Sequence, residues 1–255
     1  WPTAVIWDGE GAEPQSLPDF GNGGVATGAN ASIIVGDTGD PSITSRYWFR
    51  LTLWDADGTN PRLATGLDPS LRTRCFSINS RGTYVGSSYA IDNDLRGIVG
   101  RDGTVQHMSY PGFDRIIGAA DVNESDLVVG GWAPPGALYQ RGFVAEAFGD
   151  GIRDLGLLDG FPGTGVSAIN DHGAIVGAAL DGGTHARALY WPPGAVGPID
   201  FNTMVDLPSW ETLVEAIDIN NAGQVLARGY GGYYIFTPVP EPMPAGTVLL
   251  LLGTA

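Results

Sequence analysis

Apolar residues in this chain come in short runs, rich in β-branched side chains and separated by clusters of glycine, proline, asparagine and aspartate. That alternation predicts many short strands joined by tight turns. The clearest instance is Ser167-Ala168-Ile169-Asn170-Asp171-His172-Gly173-Ala174-Ile175-Val176-Gly177. Ile169 and Asn170 close one strand, Gly173 offers the positive φ of a tight turn, and Ala174 to Gly177 opens the next strand.

Versions of this hairpin recur along the chain. The motif asparagine returns as Asn30, Asn79, Asn123, Asn170 and Asn220, at steps of 49, 44, 47 and 50 residues. An arginine on a later strand returns as Arg50, Arg96, Arg141 and Arg187, at steps of 46, 45 and 46. Each unit holds about four short strands, the content of one propeller blade, whereas a solenoid coil needs only about 20 to 30 residues. The expected fold is therefore all-β: a β-propeller of four-stranded blades over residues 1–238, five-bladed with six as the alternative. The segment Ala4-Val5-Ile6-Trp7-Asp8-Gly9 with Gln15-Ser16-Leu17 looks like the outer half of a repeat. The fifth unit stops after Tyr233-Tyr234-Ile235-Phe236, one strand short, so the N-terminal segment is expected to complete its blade and join the termini.

The composition fits a folded, turn-rich chain: 39 glycines and 18 prolines, with 43% hydrophobic and 16% charged residues. A formal net charge of −15 argues against nucleic acid as a partner, because that binding rests on clustered cations. All 13 basic residues are arginine, and Cys75 is the single cysteine, so no intrachain disulfide framework is expected. The chain opens at Trp1-Pro2 without methionine, as it would after a processed leader or within a fragment.

At the repeated residues the chain resembles the HAF-repeat family of extracellular bacterial proteins. That family couples an "IN-x-x-G-x-VVG" hairpin to a "HAF-LW" strand and a "DLG" strand. The matching residues include Ile169-Asn170 to Gly177, Ile219-Asn220 to Gly223 and Arg153-Asp154-Leu155-Gly156, and the resemblance runs over residues 25 to 238. Arginine replaces the family's histidine at Arg96, Arg141 and Arg187. The resemblance implies an exported protein, extracellular or at the cell surface, and implies no activity. In residues 239–255, Pro240-Glu241-Pro242 followed by the apolar Val248-Leu249-Leu250-Leu251-Leu252 resembles a PEP-CTERM sorting signal without its basic cluster. The apolar run is shorter than the roughly 20 residues that span a bilayer. The tail is thus expected to contact a membrane only before processing, or to dock on its own domain or on another copy of the chain.

Candidate chemistry falls on exceptions to the repeat. Asp55-Ala56-Asp57-Gly58 is acidic enough for Ca2+, but its glycine is misplaced for an EF-hand loop, and a hairpin turn is the simpler reading. No other cofactor is expected. Asp121 and Asp218 stand two residues before their motif asparagines, where the other units have Gly28, Ser77 and Ala168. Facing a channel, they would supply the carboxylates of a glycoside-cleaving site; otherwise they cap turns. Trp132, followed by Ala133-Pro134-Pro135, is expected in a loop as a platform for sugar stacking. Trp7, Trp54 and Trp191 share one repeat position and are expected in blade cores. The spaced arginines are expected to pair with carboxylates of the adjacent blade or to guard exposed edges. His107, His172 and His185 form no recognisable triad or metal spacing. The sequence reading is a non-catalytic extracellular or surface protein acting in matrix interaction or self-assembly, with itself or an extracellular polysaccharide as partner. A carbohydrate-binding or carbohydrate-cleaving propeller is the alternative.

Overall fold

The computed structural model describes residues 3–6, 13–20, 23–39, 49–89, 95–113, 115–183 and 186–238. Trp7, Trp48, Asp92-Asn93-Asp94, His185 and the tail with Pro240, Glu241, Pro242 and Val248 to Leu252 lie outside them. Among the described residues the structure is all-β apart from one short 3-10 turn, Phe201–Thr203. It divides into two compact units, Trp1–Ser109 with Ile116–Asp126, and Tyr110–Arg115 with Leu127–Ala255.

In the first unit, β1 (Val5–Ile6) and β2 (Gln15–Ser16) pair with each other as a two-stranded sheet. The first repeat is an antiparallel meander of β3 (Gly24–Ala29), β4 (Ile33–Gly39), β5 (Phe49–Asp55) and β6 (Arg62–Leu63). The second repeats it with β7 (Arg72–Ile78), β8 (Tyr84–Tyr89), β9 (Leu95–Arg101) and β10 (Thr104–His107). The third repeat gives β11 (Ile116–Val122) to this unit. To the second unit it gives β12 (Leu127–Trp132), β13 (Arg141–Glu146) and β14 (Ile152–Asp154). The fourth repeat is complete there as β15 (Gly163–Ile169), β16 (Ile175–Leu180), β17 (Ala186–Trp191) and β18 (Ile199–Asp200). The fifth has three strands, β19 (Leu213–Ile219), β20 (Val225–Gly229) and β21 (Tyr233–Phe236).

The core lies between successive sheets. Val35, Leu51 and Leu53 of the first repeat pack on Cys75, Tyr84, Ile98 and Val105 of the second. Val129, Val144 and Leu155 pack on Ile169, Ile175, Leu189 and Trp191. Ala168, Val176 and Ala188 pack in turn on Leu213, Ala216, Val225 and Phe236. Strands sandwiched this way are covered on both faces, which is why β8 and β16 are buried continuously rather than alternately. Four-stranded antiparallel meanders stacked face to face define the fold as a β-propeller built from such blades.

One device recurs in the blades. The first strand carries a β-bulge, between Ala26 and Gly28, Cys75 and Ser77, Val166 and Ala168, and Ala216 and Asp218. The residue paired just ahead of the bulge is opposite Gly36, Gly86 or Gly177 in the first, second and fourth repeats. A Cβ there would sit 2.0, 1.9 and 2.1 Å from the carbonyl oxygens of Val25, Arg74 and Gly165. The final glycine of the hairpin motif is thus demanded by close backbone approach. In the fifth repeat the position is Ala227, paired with Ala216.

The N-terminal segment packs against the first repeat. The Trp54 indole donates to the carbonyl of Pro18 at 2.6 Å, and Ala4, Leu17, Ile34 and Trp54 form one apolar cluster. In the second unit Trp191 makes the matching bond to the carbonyl of Leu155 at 2.8 Å. Both tryptophans are fully buried. The parallel puts β1 and β2 beside the first repeat as β13 and β14 stand beside the fourth.

Candidate functional site

The motif asparagines are the most regular polar feature of the structure, and they act between repeats. Each Oδ1 caps its own turn: it accepts from Ile33 N in the case of Asn30, Thr83 N for Asn79, Ser125 N for Asn123, Ala174 N for Asn170 and Gln224 N for Asn220. In three of the five, the amide group then reaches the next turn. Asn30 donates to the carbonyl of Asn79 at 3.0 Å, Asn79 to that of Asn123 at 2.9 Å, and Asn170 to that of Asn220 at 3.1 Å. The following residue repeats the connection. The Ser80 amide donates to Glu124 at 2.8 Å, and the Asp171 amide to the Asn221 side chain at 2.9 Å. Deeper in the blades, Thr73 and Thr164 accept from the amides of Leu51 and Gly142, at 2.7 and 2.8 Å.

Two turns depart from the pattern. Gly82, Gly173 and Gly223 take the positive φ of their turns; the shorter turn after Asn30 has no positive-φ residue, and in the third repeat Asp126 takes it, at φ 60. Its carboxylate accepts from Asn79 at 2.9 Å, Thr83 at 2.7 Å and Arg101 at 2.7 Å. Burial opposes its charge, but the hydrogen bonds from Arg101, Thr83 and Asn79 outweigh it and hold the carboxyl below its ordinary value. Beside this turn network, Asn30, Ser80, Arg81, Gly82, Asp102 and Gly103 help to line a cleft of about 370 Å3.

The acidic candidates are engaged locally. Asp121 accepts from the Ser77 hydroxyl at 2.6 Å and from the Val122 amide at 2.8 Å. Asp218, exposed in the other unit, accepts from the Ile219 amide at 2.8 Å. Asp55 takes Asn60 and Arg62, both at 2.7 Å, and these bonds lower its pKa. Asp57 caps the Thr59 amide at 3.0 Å. Among the described residues, no group of three or more histidines, cysteines, aspartates or glutamates is placed to hold a metal ion.

Two expectations need correction. Trp132 lies not in a loop but at the end of β12, paired with Arg141, and is 8% exposed. The strand runs on through Gly130 and Gly131, and Phe113 packs edge-on against the indole with ring centroids 4.5 Å apart. A sugar has no face of Trp132 to stack on. Two of the spaced arginines find carboxylates within their own blade rather than the next: Arg141 lies 3.0 Å from Asp154 and Arg187 3.7 Å from Asp200. The outer strand runs alongside the arginine strand, so the aspartate ahead of Leu155 in the "DLG" segment is the nearest carboxylate.

Three further groups stand out in the structure. Asp37, 3% exposed, accepts from the Cys75 amide at 3.0 Å, with Arg74 3.7 Å away; burial dominates and raises its pKa to about 7. Glu211, 7% exposed, accepts from the amides of Thr212, Tyr230 and Gly231, each at 2.8 Å, and from the Tyr234 hydroxyl. Burial opposes its charge, but these bonds prevail and lower its pKa. Beside it Trp210 and Tyr230 are 67% and 63% exposed. The only sequence signal for this surface is that Trp210 falls outside the tryptophan register and that Tyr230-Gly231-Gly232-Tyr233 is an aromatic, glycine-rich turn.

The chain matches no protein-family profile and no curated protein in sequence. Similar folds occur among solved structures. A putative TolB from Agrobacterium tumefaciens is 10% identical with a TM-score of 0.49, the match covering 74% of this chain and 76% of that one. A nidogen/laminin complex chain is 12% identical with a TM-score of 0.49, covering 88% and 80%. The β-propeller domain of the Trilobed protease from Pyrococcus furiosus is 10% identical with a TM-score of 0.38, covering 91% and 83%. The fold class rests on the sheets themselves, and function on the residues. No helix among the described residues is long and apolar enough to cross a membrane.

Proposed function

We propose that this protein is a non-catalytic interaction scaffold, exported by a bacterium and held at the cell surface or in the extracellular matrix. The observation that carries this reading is the use made of the repeat's polar side chains. Asn30, Asn79 and Asn170 join one turn to the next, Asp121 bonds Ser77 of the preceding repeat, and Asp218 bonds the amide beside it. Such an arrangement favours a rigid body that presents its loops. The HAF-repeat resemblance and the tail around Pro240, Glu241 and Pro242 support the location, and the apolar run offers a route to attachment or self-assembly.

The test is fractionation of the producing cells, coupled to an assay for sugar release. The chain is expected in the surface or matrix fraction, with no new reducing ends when it is incubated with the matrix polysaccharide. Confinement to the cytoplasm would overturn the reading. So would reducing-end release abolished by Asp121→Asn or Asp218→Asn, which would establish the carbohydrate-cleaving alternative.

A further inference from the structure

We infer that Trp210 and Tyr230 of the fifth repeat form a binding surface for a neutral oligosaccharide. The inference rests on the proposed surface role and gives it a ligand class and a site. Tyr230 stands in the turn between β20 and β21, and Trp210 precedes β19. Both side chains remain more than half exposed. Leaving large rings in water forgoes roughly 25 cal/mol for each Å2 that burial would remove, so a grouped set is a feature to explain.

The group is also held in place. Glu211 accepts from the Tyr230 and Gly231 amides and from the Tyr234 hydroxyl, which ties the turn to the loop carrying Trp210. Trp210 Cζ3 lies 2.9 Å from where a Cβ on Gly231 would stand, so the indole crosses the turn at a glycine. A buried carboxylate with four donors fixes the backbone beneath the rings, and rings with few rotatable bonds lose little entropy on contact.

The setting selects the ligand. Next to Trp210 in sequence, Ser209 and Glu211 line a cleft of about 330 Å3, together with Arg187, Asn202, Asp206 and Thr212. A hexose offers an apolar C–H face to an aromatic ring and a rim of hydroxyls to polar side chains, the combination that these residues provide. The net charge of −15, with Asp206 and Glu211 at the cleft, disfavours an anionic chain.

The full chain is tested by affinity electrophoresis through gels containing neutral polysaccharides, β-glucan and galactomannan, with polygalacturonate as the anionic control. At least one neutral polymer is expected to retard the protein, and polygalacturonate to leave its mobility unchanged. Trp210→Ala and Tyr230→Ala are each expected to weaken retardation about tenfold or more, with an unchanged urea midpoint because both side chains are exposed. Undiminished retardation of both variants overturns the site. So does the absence of retardation by either neutral polymer. A change in the sedimentation of the protein alone on Trp210→Ala, without glycan binding, would identify the surface as a protein interface instead. If the chain is found at the cell surface while the variants still bind, the site fails and the surface role stands. If the chain is cytoplasmic, the role itself fails.

Discussion

The Asn79 side chain donates to the carbonyl of Asn123 at 2.9 Å while its own Oδ1 accepts the Thr83 amide at 2.9 Å. One residue therefore closes its own turn and fastens the next, and at 3% exposure it does so away from water. Asn79→Ala leaves a buried carbonyl and a buried amide without their partner, at about 1 to 3 kcal/mol per group. Asn79→Asp keeps the acceptor, but sets a charge near the Asp126 carboxylate that Asn79 now serves as donor. Urea unfolding is expected to rank wild type above Asn79→Ala, and Asn79→Ala above Asn79→Asp at neutral pH. Equal midpoints for all three would remove the asparagine from the account of how successive turns are joined.

Asp37 makes stability depend on pH in the direction opposite to a salt-bridged carboxylate. Its folded pKa of about 7 stands above the ordinary 3.8, so the folded state holds the proton more tightly than the unfolded chain. Its contribution is most favourable below the unfolded value and declines as pH rises toward the folded one, by about 1.4 kcal/mol per unit. Asp37→Asn is expected to flatten the stability profile between about pH 4 and 7 and to raise stability at neutral pH. Parallel profiles for wild type and variant, measured by denaturant titration across that range, would refute the assignment.

In the first, second and fourth repeats the glycine that ends the hairpin motif is predicted to resist replacement for a steric reason. Gly86→Ala places a methyl 1.9 Å from the Arg74 carbonyl oxygen, and Gly177→Ala places one 2.1 Å from that of Gly165. Overpacking against backbone costs about 1 to 3 kcal/mol or more. Gly118→Ala in β11, where a Cβ meets nothing within 4 Å, serves as the control and is expected to be near neutral. Thermal midpoints separate the two outcomes.

Trp54→Phe retains most of the buried ring and deletes the 2.6 Å bond to Pro18. About 1 kcal/mol of stability is expected to be lost, felt chiefly as faster hydrogen exchange in residues 13–18. Trp191→Phe tests the same contact in the second unit, through the segment around Leu155. Faster exchange spread uniformly over the chain, rather than centred on the released segment, would count against a local tether.

Strand content, turn positions and the period of the repeat were written in the sequence by itself, because they depend on neighbours along the chain. Alternating turn residues and β-branched runs fix where the backbone folds back, and Gly173 betrays its turn through a conformation that other residues resist. The burial of Trp54 and Trp191 was legible too, since a side chain recurring at one repeat position meets the same packing each time. Tertiary structure alone decided what those residues touch. That Asn30 and Asn170 reach turns 49 and 50 residues away follows from stacking successive sheets, which no local pattern encodes. Trp132 looked exposed because prolines follow it, yet Phe113 and the continuing strand bury it. Among the described residues the Glu211 clamp and its aromatic surface occur in the fifth repeat alone, and a feature that does not recur leaves no period in the sequence.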